Sequence, residues 1–82
     1  MNKIKPETIH FKLDCRNLSC PIPIVKLKKQ INSMEIGQVV EMVATDPGSP
    51  SDVKGWSQQT GHELLHNEQV GKDYFYYIKK SK

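Results

Sequence analysis

The chain has 82 residues, 12 of them basic and 9 acidic, for a formal net charge of +3. That is one domain's length with a modest core, and the charge is too mild to argue for nucleic acid by itself. No apolar run approaches the roughly 18 residues that cross a bilayer, and residues 1–11 lack the apolar stretch of a secretory leader, so a cytoplasmic protein without membrane contact is expected.

Residues 9–15 alternate, with Ile9, Phe11, Leu13 and Cys15 on one side and His10, Lys12 and Asp14 on the other. Period two with one apolar face predicts a half-buried strand. Arg16-Asn17-Leu18-Ser19 breaks the pattern. After Cys20-Pro21-Ile22-Pro23 a helical stripe follows in Ile24, Leu27, Ile31 and Met34, with Lys26, Lys28 and Lys29 off it. Pro21 and Pro23 suit a first helical turn, where a missing N–H costs nothing, so Cys20 falls at or beside the N-cap. Gly37 is the expected stop. Gln38 to Thr45 reads as a valine-rich second strand. Asp46-Pro47-Gly48-Ser49-Pro50 is a turn in which Asp46 is expected to bond its own backbone. Ser49 and Asp52 resemble a capping box, with Pro50 at the first helical position and Val53, Trp56 and Thr60 as the buried stripe up to Gly61. A weaker strand, His62 to Val70, a Gly71-Lys72 hairpin turn and a strand from Tyr74 to Lys79 complete the chain. Residues 1–8 and 80–82 are expected to fray, which leaves a single domain over residues 9–79.

The order β-α-β-α-β-β predicts an α/β two-layer sandwich: a four-stranded mixed sheet with both helices on one face. The other face would be wet, with Phe75 and Tyr77 as a possible docking patch.

Cys20 carries the chemistry. A helix N-terminus stabilises a thiolate by roughly 0.3–2 kcal/mol. A free cysteine is only about 3% thiolate at pH 7, and lowering its pKa by about one unit raises that to about a quarter. Parallel pairing of the first two strands would bring both helix N-termini to the sheet edge that holds Cys20. Arg16 would add positive charge there, and Asp14 and Asp46 would oppose it. Cys15 continues the buried side of its strand and reads as packing, with a resolving thiol as the alternative. Cys15 and Cys20 are too few for a disulfide scaffold, and neither they nor His10, His62 and His66 repeat a zinc spacing, so no metal or other cofactor is expected.

The stretch Leu13-Asp14-Cys15-Arg16-Asn17-Leu18-Ser19-Cys20-Pro21-Ile22-Pro23 resembles the signature of the TusA-like (SirA-like) sulfur carriers: a hydrophobic strand, Asp-x-Arg-Gly-Leu-x-Cys-Pro-x-Pro, then a helix. Gly37, Thr45-Asp46-Pro47-Gly48-Ser49, Asp52, Trp56 and Thr60-Gly61-His62 are also similar to family positions. The resemblance implies one cysteine, here Cys20, that accepts persulfide sulfur and hands it on. It implies a sulfurtransferase-type relay rather than a classical turnover enzyme. Asp14, Arg16, Pro21 and Pro23 would support the loop and helix start. The implied partners are a cysteine desulfurase or other sulfur donor and a downstream acceptor protein, for example in tRNA thiolation. Two departures stand out: Asn17 replaces the usual glycine, and Cys15 fills a variable position. A dithiol redox module using Cys15 and Cys20 is the alternative. No stripe of basic and aromatic residues supports specific nucleic-acid binding, and a monomer is the simplest state for a transient relay.

Overall fold

The computed structural model describes residues 9–82. The expected fraying of residues 1–8 concerns residues outside this range. The elements are β1 (Phe11–Cys15), α1 (Ile22–Asn32), β2 (Val39–Ala44), α2 (Ser49–Thr60), β3 (Glu63–Val70) and β4 (Asp73–Lys79). They form one sheet in the order β1-β2-β4-β3. β1 and β2 run parallel, as their helical crossover requires, and β4 is antiparallel to both β2 and β3. The result is the expected α/β two-layer sandwich. Its core joins Cys15, Val40, Met42, Ala44, Tyr76 and Ile78 of the sheet to Leu27, Ile31 and Val53 of the helices. Burying each large aliphatic side chain contributes about 1.5–3 kcal/mol, so this shared layer is the main stabilising force.

Three local predictions are corrected. First, α1 ends at Asn32, well before Gly37. The Ser33 hydroxyl turns back to the Gln30 carbonyl at 2.8 Å, and the chain leaves the helix there. Met34 lies beyond the helix end yet stays buried, while Gly37, at φ +96°, serves the turn into β2.

Second, the capping box at Ser49 and Asp52 does not form. Gly48 is the N-cap and contributes no side chain. Ser49 is 2% exposed, and its hydroxyl lies 2.7 Å from the Tyr76 hydroxyl. A buried hydroxyl needs a partner, and Tyr76 supplies it across the layers. In the preceding turn the Asp46 carbonyl, not its carboxylate, accepts the Ser49 N–H at 2.9 Å. The carboxylate instead crowds Gly48: a Cβ there would sit 3.2 Å from Asp46 Oδ2.

Third, the chain end is tied down. The Lys80 N–H donates to the Gln38 carbonyl (2.9 Å), and the Lys80 carbonyl accepts from Gly37 (2.7 Å). Lys80 Nζ donates to the Met34 carbonyl at 2.8 Å, and the Ser81 N–H donates to His62 Nδ1 at 3.1 Å. These bonds satisfy backbone groups at the end of α1 and the start of β2 that would otherwise face water.

β3 carries an irregularity between Leu64 and His66. Strict alternation would put Leu64 and His66 on one face. The extra residue, Leu65, re-aims the strand, so Leu64 packs against the core while His66 pairs with Tyr77 on the open face.

Candidate functional site

β1 and β2 end side by side, and the loops after them meet at one edge of the sheet. The loop after β1 is held by Arg16 and by Asn17. Arg16 donates from Nε to Asp14 Oδ1 (3.0 Å) and from Nη2 to Oδ2 (2.9 Å), and its N–H also reaches Oδ1 at 3.0 Å. These bonds, the side-chain ones first, hold the Asp14 carboxyl at about 2, well below its usual range. Asn17 adopts φ 66°, in the left-handed region that favours glycine. Asparagine tolerates it better than most residues. Its N–H donates to Thr45 Oγ1 at 2.8 Å, fastening the loop to the end of β2.

Cys20 follows on this loop, immediately before the N-cap residue Pro21; the Cys20–Pro21 peptide is cis. Pro23 is buried and anchors the start of α1, whereas Pro21 is exposed beside the thiol. Cys20 is exposed, Cys15 is fully buried, and both are free thiols. Burial pushes the Cys15 thiol up, so it is a poor nucleophile within the core.

The Cys20 thiol opens into a groove of about 350 Å³ lined by Pro21 and Ile24 of the first helical region and by Ser51, Asp52, Gly55, Trp56 and Gln59 of α2. The predicted convergence of the two helix starts is therefore observed. Its electrostatic consequence is the reverse of the expected one. The neighbouring Asp52 carboxylate, first among the causes, pushes the Cys20 thiol above its ordinary pKa; partial desolvation and the negative charges of Asp52 and Asp46 add to this. Arg16, expected to supply positive charge, is engaged by Asp14 and is not among the groove residues.

Ile24 and Trp56 also line a second, more apolar cleft of about 380 Å³ between α1 and α2, with Val25, Lys28, Ile31, Asn32, Thr60 and His62. Trp56 thus packs against the core, as predicted, and forms a wall of both clefts. Its ring lies 5.6 Å from that of His62, whose pKa is lowered by burial first and then by Lys80 and Lys82. Lys26, Lys28 and Lys29 are exposed, and only Lys28 lines this cleft. Ile22 and Val25, each 43% exposed, add apolar surface on the first two turns of α1 that the helical stripe did not single out. Phe75 and Tyr77 lie on the open face but are half-buried. Burial, then the Glu41 carboxylate, pushes the Tyr77 hydroxyl up to about 12.

Sequence reasoning missed the pairing of Cys20 with Asp52. The residues are far apart in the chain, and the only signal available was the expected meeting of two helix starts. Among the described residues no group of histidine, cysteine and carboxylate side chains forms a metal site, and no helix is long and apolar enough to cross a membrane.

Comparison with known proteins matches residues 11–80 to the family described as Sulfurtransferase TusA. The sulfur carrier protein TusA of Allochromatium vinosum is 44% identical over 70 residues, covering 85% of this chain and 92% of that protein. A relative from Bacillus subtilis is 43% identical over 68 residues, which is 83% of this chain but only 37% of that longer protein. The crystal structure of a SirA-like protein from Desulfitobacterium hafniense superposes with a TM-score of 0.77 at 20% identity, covering 89% of this chain and 100% of that one, and so shares the fold.

Proposed function

Since this chain belongs to the TusA sulfurtransferase family, we propose that it is a sulfur carrier that takes persulfide sulfur on Cys20 and relays it between a donor and an acceptor protein. The observation that carries this reading is the contrast between its cysteines: Cys20 is exposed on a groove at the meeting of two helix starts, and Cys15 is sealed in the core.

The chemistry is an exchange without net oxidation. The Cys20 sulfur attacks the terminal sulfur of the donor's persulfide. The donor's S–S bond breaks as the new one forms on Cys20, and the departing donor sulfur takes the proton that Cys20 gives up. In the second step an acceptor thiolate attacks the outer sulfur, and Cys20 leaves and is reprotonated. Exchange of this kind needs access and a usable thiolate fraction. Asp14 and Arg16 act by fixing the loop, and Pro21 and Pro23 by fixing the start of α1. A cysteine desulfurase is the donor class that fits, and tRNA thiolation is one route the sulfur could enter. The reducing cytoplasm suits a free exposed thiol. With Cys15 in the core, no observation favours the dithiol alternative.

The test is intact mass after incubation with a cysteine desulfurase, its pyridoxal cofactor and cysteine. The protein and Cys15→Ser should each gain one sulfur, removable by reductant. Cys20→Ser should gain none. Full loading of Cys20→Ser would refute the proposal.

A further inference from the structure

The groove gives Cys20 an acidic neighbour and no cationic one. Its lining residues are Pro21, Ile24, Ser51, Asp52, Gly55, Trp56 and Gln59. The charged groups that act on the thiol are Asp52 from α2 and Asp46 from the turn before it. On the loop after β1, Arg16 is engaged by both oxygens of Asp14. Asp52 is also well placed by its backbone. It sits in the first turn of α2, its N–H donates to the Gly48 carbonyl at 3.1 Å, and that turn is pinned to β4 through Ser49 and Tyr76. A carboxylate so positioned is an unusual neighbour for a sulfur nucleophile whose first task is attack.

We propose that Asp52 is a positioning residue that biases the carrier toward unloading: its carboxylate, in the same groove as Cys20, disfavours the loaded persulfide anion relative to the empty, neutral thiol. The inference rests on the carrier reading and deepens it. A persulfide S–H is a stronger acid than a thiol, so at neutral pH the empty site is a neutral thiol and the loaded one an anion. The Asp52 carboxylate does not oppose the first and repels the second. That repulsion pushes one balanced exchange to the right: Cys20–S–S⁻ plus R–SH gives Cys20–SH plus R–S–S⁻. One S–S bond breaks, one forms, and the proton passes from the incoming thiol to Cys20. The raised thiol pKa agrees with this arrangement.

The test uses the full chain and Asp52→Asn, with Asp52→Glu as the conservative rescue and Ser51→Ala as a neighbouring control. In the empty state, the pH profile of iodoacetamide alkylation at Cys20 should move to lower pH in Asp52→Asn. The rate at pH 7 should rise severalfold as the thiolate fraction grows. In the loaded state, equilibration with glutathione persulfide and glutathione, read by intact mass, should leave severalfold more sulfur on Asp52→Asn than on the unmodified chain. Asp52→Glu should restore both values, and Ser51→Ala should change neither. An unmoved alkylation profile, or an unchanged sulfur equilibrium, overturns the proposal. Glutathione persulfide loads without an enzyme, so failure of the desulfurase to load Cys20 would count against the carrier reading separately.

Discussion

The hydroxyl pair of Ser49 and Tyr76 should be the polar contact on which the position of α2 most depends. Both residues are almost completely buried, at 2% and 1% exposure, and their oxygens are 2.7 Å apart. Tyr76→Phe leaves the Ser49 hydroxyl buried without its partner, and Ser49→Ala does the same to Tyr76. A stranded buried polar group costs about 1–3 kcal/mol, whereas removing both partners together can be nearly neutral. Each single substitution should therefore lower stability by about 1–3 kcal/mol. For a domain of this size about 1 kcal/mol corresponds to a 4–8 °C change in Tm. The double variant should lose less than the sum of the two, with a coupling of at least about 1 kcal/mol. Urea unfolding of the four proteins, followed by circular dichroism, measures the complete cycle. If the double variant loses the sum of the two single losses to within about 0.5 kcal/mol, the residues are uncoupled and the bond does not pin α2. The result also bears on function, because Asp52 lies on the same helical turn as Ser49.

Two further predictions concern the loop that carries the thiol. Asn17→Gly should leave stability unchanged or slightly higher, because glycine enters φ 66° freely; Asn17→Ala should lower it by about 1–2 kcal/mol in thermal or urea unfolding. An alanine variant as stable as the glycine one would mean that the left-handed turn is not enforced. Asp14 should titrate with a midpoint of about 2, far below the 3.8 of an unperturbed aspartate. Since the folded value is the lower one, its contribution is complete above 3.8 and disappears as pH falls through about 2. Carboxyl carbon shifts followed by NMR give the midpoint, and Arg16→Gln should return it toward 3.8; a midpoint already near 3.8 in the unmodified chain would dismiss the Arg16 clasp.

The elements were legible because their periodicities are local. Phe11, Leu13 and Cys15 mark a strand, Leu27 and Ile31 a helix, and Gly61 and Gly71 the ends that need positive φ. The Cys20 position was legible from a short motif read in its strand–turn–helix context. What stayed hidden depends on contacts between distant segments. Ser49 has the composition of a cap, but Tyr76 recruits its hydroxyl into the core. Lys80 and Ser81 look like a polar tail, yet His62, Gly37, Gln38 and Met34 offer them partners. The insertion of β4 between β2 and β3 has no signature in any one strand. Most consequential for the chemistry, the charge around Cys20 is set by α2 and not by the nearer Arg16.

The parallel pairing of β1 with β2, and the return of the chain end to Gly37 and Gln38, have a practical corollary. Residue 9 enters β1 and Lys80 leaves β4 at the same end of the sheet, and Cys20 stands at the other. The domain is built like a plug, with its wiring at the back and a single contact in front. A tether joined at residue 9 or at Lys80 would therefore start at the end of the sheet away from the thiol.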